Sequence, residues 1–170
     1  YNLGVLYSRV GSLEDAVKWL SRATAVKHSK QSAPAHYNLG LVYYRLGDVE
    51  KAETSYRGAL KLRPDYIAAH YNLAILLKNR ELFSEAINGF QKAIALCFKE
   101  PKVFKHLAFC YGKIDKDSAA VEAYGRATQL DPTDASSFFN QGLVWARIKK
   151  WEESKAAYQQ ALRVDSNYTA

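Results

Sequence analysis

Leucine returns along this chain at Leu3, Leu39, Leu73 and Leu107, spaced 36, 34 and 34 residues apart, and a further step of 34 reaches Gln141. A fixed period of this length implies one supersecondary unit copied along the chain, which limits the fold more than any bulk property. A small residue follows each of these positions: Gly4, Gly40, Ala74, Ala108 and Gly142. Three residues later stand Tyr7, Tyr43, Leu77, Tyr111 and Trp145. The second half of each unit carries Ala16, Ala52, Ala86, Ala120 and Ser154, then Leu20, Tyr56, Phe90, Tyr124 and Tyr158, then Ala23, Ala59, Ala93, Ala127 and Ala161. Offsets of three and four mark both halves as helical. The small residues fall where helices must approach closely, and the large ones fill the space between pairs.

The breaks between the halves agree. Gly11-Ser12 and Gly47-Asp48 supply turn and N-cap chemistry. The runs LRPD (62–65) and LDPTD (130–134) stop the second helices, because proline cannot continue one. The unit is therefore helix–turn–helix. With 48% hydrophobic and 24% charged residues among 170, the balance is that of a folded chain. Apolar runs such as Leu73–Leu77 are too short to span a membrane. No secretory, transit or lipidation signal is visible. The chain neither begins with Met nor contains one, and is read as an excised piece of a longer protein.

The spacing and residue types resemble those of the tetratricopeptide repeat family across essentially the whole chain. The resemblance implies an all-α fold, a right-handed α-solenoid (superhelix) of antiparallel helix pairs with the first helices lining the inside. It divides the chain into a single array of about five repeats, 1–32, 33–66, 67–100, 101–134 and 135–168, cut from a longer array. Departures are specific. The first linker, around His28–Ala33, is two residues longer, and the first and third units lack the closing proline, the third having Phe98 there. His36, His70, Phe104 and Phe138 replace an expected Trp. Gln141 and Ser154 replace Leu and Ala, so looser packing is expected in the fifth unit. Thr169-Ala170 would open a sixth.

On the first helices, three lines fall opposite the packed face at i, i+3 and i+7. The first is Asn2, Asn38, Asn72, His106 and Asn140. The second is Val5, Leu41, Ile75, Phe109 and Leu143, and the third is Arg9, Arg45, Asn79, Lys113 and Arg147. Asn is a mediocre helix former, so its return needs a reason other than helix stability. Its amide offers two donors and an acceptor, suited to the backbone of an extended peptide. The row is similar to the Asn ladder in the tetratricopeptide superhelix of O-linked N-acetylglucosamine transferases, departing at His106. These three lines are the expected peptide-binding groove. Bonds from Asn to an adjacent unit, serving only the stack, are the alternative.

Other chemistries find little support. The carboxylate clamp of chaperone-binding relatives is matched at Asn72, Lys102 and weakly His106, but Tyr37 and Leu41 stand where its Lys and Asn are required. His36 and His70 lie on the packed face without ligand-spaced partners, and Cys97 and Cys110 have no zinc pattern, so no metal or cofactor is expected. No phosphate loop, nucleophile elbow or catalytic pair is present, and no catalytic residue is assigned. The formal charge of +7 favours a protein or peptide partner with acidic side chains. Nucleic acid is disfavoured, because the charge is dispersed and no recognition motif accompanies it. The reading is a protein-interaction module, intracellular and cytoplasmic. Its rivals are the substrate-recruiting arm of a larger enzyme such as a glycosyltransferase, and a structural scaffold. End-to-end self-association of the fragment is a further expectation.

Overall fold

The computed structural model describes residues 1–26 and 32–166. The long first linker and the start of a sixth unit fall in large part outside them. The described residues form α-helices and no strand: α1 (Asn2–Val10), α2 (Leu13–Thr24), α3 (Ser32–Arg45), α4 (Val49–Leu62), α5 (Ile67–Asn79), α6 (Phe83–Ala95), α7 (Pro101–Lys113), α8 (Asp117–Leu130), α9 (Ala135–Arg147) and α10 (Trp151–Val164). Two compact units divide within α5, at Tyr1–Leu76 and Leu77–Ala170.

In the first unit α1, α2, α3 and α4 each pack on the next. Ala16, Leu20, Leu39 and Val42 are buried together, with Tyr1, Val5, Tyr7, Leu13, Val17 and Tyr43 packed against them. A Cβ at Gly40 would lie 2.6 Å from Cε1 of Tyr56, and one at Gly4 would lie 2.8 Å from Cγ of Leu20. The first and second helices of each pair thus meet where the small residues recur. His36 packs the same way: a Cβ at Gly58 would lie 2.8 Å from its Nδ1.

In the second unit α6 through α10 pack in succession. Ala86, Phe90, Val103, Cys110, Ala120 and Ser137 are buried in its interior. The polar residues of the last pair do not leave it loose. Buried Ser154 donates through Oγ to the Gly142 carbonyl at 2.9 Å, and Gln141 Nε2 donates to the Val121 carbonyl at 3.3 Å. Both departures are met by hydrogen bonds that Leu and Ala cannot make.

The turn inside each pair has one backbone form. Gly11 and Gly47 have φ of 86° and 79°, and Glu81, Asp115 and Lys149 hold the equivalent places at 61°, 56° and 61°. Asp48 caps α4, its carboxylate accepting from the Lys51 backbone N–H. Ser12 does not cap α2; its hydroxyl donates to Asp15 at 2.9 Å. Helices α4 and α8 end at Leu62 and Leu130, just before the prolines. Where the third unit lacks a proline, Cys97 takes φ 71° and turns the chain instead.

Candidate functional site

The first helices carry the three lines read from sequence, and each line has its own chemistry. Asn2 is exposed, whereas Asn38, Asn72 and Asn140 are half-buried. Nδ2 of Asn38 donates to the Pro34 carbonyl at 2.8 Å and to Tyr1 Oη at 3.2 Å. Nδ2 of Asn72 donates to Tyr37 Oη at 2.8 Å, and that of Asn140 to the Ser136 carbonyl at 2.7 Å. A carbonyl only accepts, so the amide orientation at Asn38 and Asn140 is fixed by chemistry. The Tyr-Asn pair of the repeat acts across units: the tyrosine before one Asn receives the next Asn. The tyrosines that stand just before Asn2 and Asn38 are the signal in the sequence for these bonds.

The donors assigned to a peptide are therefore partly committed to the chain itself. Asn38 has both N–H groups engaged and Asn72 and Asn140 one each, so the amides still offer Oδ1 as acceptor and, at Asn72 and Asn140, a second N–H. At the fourth position of the row, His106 stacks on Phe90 at 5.8 Å between ring centroids. Burial, then the charges of Lys78, Lys105 and Lys102, holds its pKa down to about 4. It is neutral at pH 7 and supplies no clamp cation. Lys102 is paired with Glu100 at 2.8 Å.

Two members of the basic line, Arg45 and Arg147, are also engaged. Arg45 Nη1 donates to the Ser8 carbonyl at 2.7 Å, and Arg147 Nη1 to the Gly112 carbonyl at 3.0 Å. Ser8 and Gly112 lie in the last turns of α1 and α7, where carbonyls have no intrahelical partner. Each arginine thus finishes the first helix of the preceding pair, and Arg147 also pairs with Asp117. Arg9 and Asn79 are exposed at the ends of α1 and α5.

The apolar line is the open one. Val5, Leu41 and Ile75 are half-buried. Phe109 and Leu143 are 40% and 47% exposed. At the start of α7 a cavity of about 500 Å³ is lined by Glu100, Lys102, Lys105, Asp131, Thr133 and Asp134. Burial would raise the Asp134 pKa, but hydrogen bonds from Lys105, Ser136 and Ser137 outweigh it and hold the group at about 2. No group of three or more potential metal ligands gathers among the described residues. No described helix is long and apolar enough to cross a membrane.

Successive helix pairs, closed by small residues and joined by repeated cross-unit bonds, define a helix-pair repeat protein. Family models for tetratricopeptide repeats match residues 33–66 and 118–169, and a TPR repeat model matches residues 4–47. The chain belongs to the tetratricopeptide repeat family. It is 32% identical over 121 residues to the general transcriptional corepressor ssn6 of Schizosaccharomyces pombe, covering 70% of this chain and 11% of that protein. It is 26% identical over 169 residues to the human protein O-mannosyl-transferase TMTC1, covering 95% of this chain and 19% of that protein. This chain thus spans a fifth or less of these relatives. Its fold is similar to that of YrrB, a TPR protein with an unusual peptide-binding site, at TM-score 0.89 and 22% identity over 98% of this chain and 85% of that one. MamA from Desulfovibrio magneticus RS-1 is similar at TM-score 0.85 and 21% identity over 99% and 94%.

Proposed function

We propose that this segment is a protein-interaction module that takes an extended peptide along the exposed faces of its first helices. The observation that carries the reading is the contrast among the three lines. Asn38, Asn72, Asn140, Arg45 and Arg147 are tied into the fold, yet the apolar line beside them is left open at Phe109 and Leu143. Apolar side chains that recur in register on the surface of a repeat array are the kind of face such arrays use for binding. The Asn amides, oriented by the bonds their nitrogens make, would accept from a peptide N–H through Oδ1. The segment is proposed to bind rather than catalyse.

The test is partner capture with the intact protein. Leu143→Ser should weaken capture while leaving the melting temperature nearly unchanged, since its side chain is 47% exposed, and Leu41→Ser should weaken capture at some cost in melting temperature, since Leu41 is half-buried. Undiminished capture by the double variant would place the binding surface elsewhere. Matches covering 95% and 98% of this chain fall on O-mannosyl-transferases, TMTC1 and TMTC3 of Homo sapiens. They favour, as a second reading, a substrate-recruiting arm of a larger transferase. Sequencing the coding region on both sides of the segment decides it: a catalytic domain on the same polypeptide supports the arm, and its absence excludes it.

A further inference from the structure

The single aromatic ring of the apolar line, Phe109, is held among cations. Lys78 Nζ lies 5.6 Å from its ring centroid and Lys113 Nζ lies 5.4 Å from it. A third contact, edge-on from Phe83 at 6.2 Å, fixes the ring against α6. Ion pairs occupy the other lysines of α7, Lys102 with Glu100 and Lys105 with Asp134. Among the described residues Lys78 and Lys113 have no carboxylate partner. Two like charges thus converge on one open ring with nothing to balance them. Lys78 also acts on neighbouring His106, where after burial its charge helps to lower the pKa.

We infer that Phe109, Lys78 and Lys113 form a recognition point for a protein segment in which an apolar side chain is flanked by carboxylates. This deepens the groove reading above and rests on it. The apolar residue packs on the ring, while the flanking carboxylates replace the missing counter-ions of the two ammonium groups. Cation–π contact already holds both lysines over the ring, so less freedom is lost when a carboxylate arrives. A peptide fits better than single-stranded nucleic acid. Stacking of successive bases requires a series of flat rings, and the next member of the row is the aliphatic Leu143.

The experiment uses the intact protein and short labelled peptide pools with a central Leu or Phe, flanked by Glu and Asp, by Lys and Arg, or by Ser and Gly. A labelled oligouridine is measured alongside. The acidic pool should bind tightest at low salt. Lys78→Gln with Lys113→Gln should weaken it about 5- to 20-fold, with most of that difference gone at about 0.5 M salt. Phe109→Ser should weaken the acidic and neutral pools alike. The circular dichroism melt of each variant, matched to wild type, shows that the fold is kept. Preference for the basic or neutral pool, lost on Leu143→Ser, overturns this inference and keeps the groove reading. Acidic-pool binding indifferent to the two lysines moves the site away from Phe109. Tighter, lysine-dependent binding of oligouridine replaces the peptide by RNA, and no binding of any probe counts against both readings.

Discussion

At the residue scale, the Tyr-Asn pair is the most informative detail of the repeat. Burial pushes the Tyr37 hydroxyl pKa up, against an opposing effect of its bond to Asn72, which describes a half-buried phenol accepting from an amide. Tyr37→Phe removes that acceptor and should cost about 0.5–1.5 kcal/mol. Asn72→Ala loses the same bond but gains helix propensity, so its net cost should be smaller. A double-mutant cycle by urea unfolding should give a coupling of about 0.5–1.5 kcal/mol between them. A coupling near zero would mean that the bond does not tie the units. The recurrence of Asn at 38 and 72 therefore has a structural cause that needs no ligand.

At the element scale, each pair is set by how closely its helices approach and by one left-handed turn residue. Gly40→Ala would gain about 1 kcal/mol of helix propensity, yet its new methyl would lie 2.6 Å from the Tyr56 ring. That ring is 1% exposed and has nowhere to move, so overpacking of about 1–3 kcal/mol wins and the melting temperature should fall. Gly125→Ala in α8 meets only the flexible Gln141 amide at 3.4 Å. Propensity wins there, and the melting temperature should rise. Lys149→Gly should also stabilise, by about 1 kcal/mol, because a non-glycine residue is strained at φ 61°. An unchanged or lower melting temperature would contradict that. The helix pairs, their small-residue contacts and the proline stops were legible because duplication repeats a packing requirement at a fixed period. The turns at Glu81 and Lys149 were not, since neither residue favours the left-handed region, and Asp115 favours it only weakly beside glycine. Nor were the arginine bonds to Ser8 and Gly112, because a carbonyl without a partner at a helix end leaves no mark on residue type.

At the scale of the whole molecule, charge and acid sensitivity come together. Burial lowers the pKa of His36, and burial with nearby lysines lowers that of His106 to about 4. A histidine depressed in the folded state binds its proton more readily when unfolded, so stability falls as pH drops below about 6.5 and continues to fall to about 4. Asp134, depressed to about 2, adds a further loss from about pH 4 downward. Thermal melts at pH 7 and pH 5 should show the lower midpoint at pH 5, and His106→Gln should shrink that difference. A pH-independent midpoint, or an unchanged difference in the variant, would remove His106 from this role.

The proposed partner seat on the first helices rests on the apolar row that is open at Phe109 and Leu143. The most direct measurement is photo-crosslinking in cells with the full-length protein, placing a photoreactive residue at Leu41, at Leu143, or at Thr54 and Gln159 on second helices. The account predicts that Leu41 and Leu143 trap the same partner while Thr54 and Gln159 trap little. Capture from the second-helix positions, with none from Leu41 or Leu143, would contradict it.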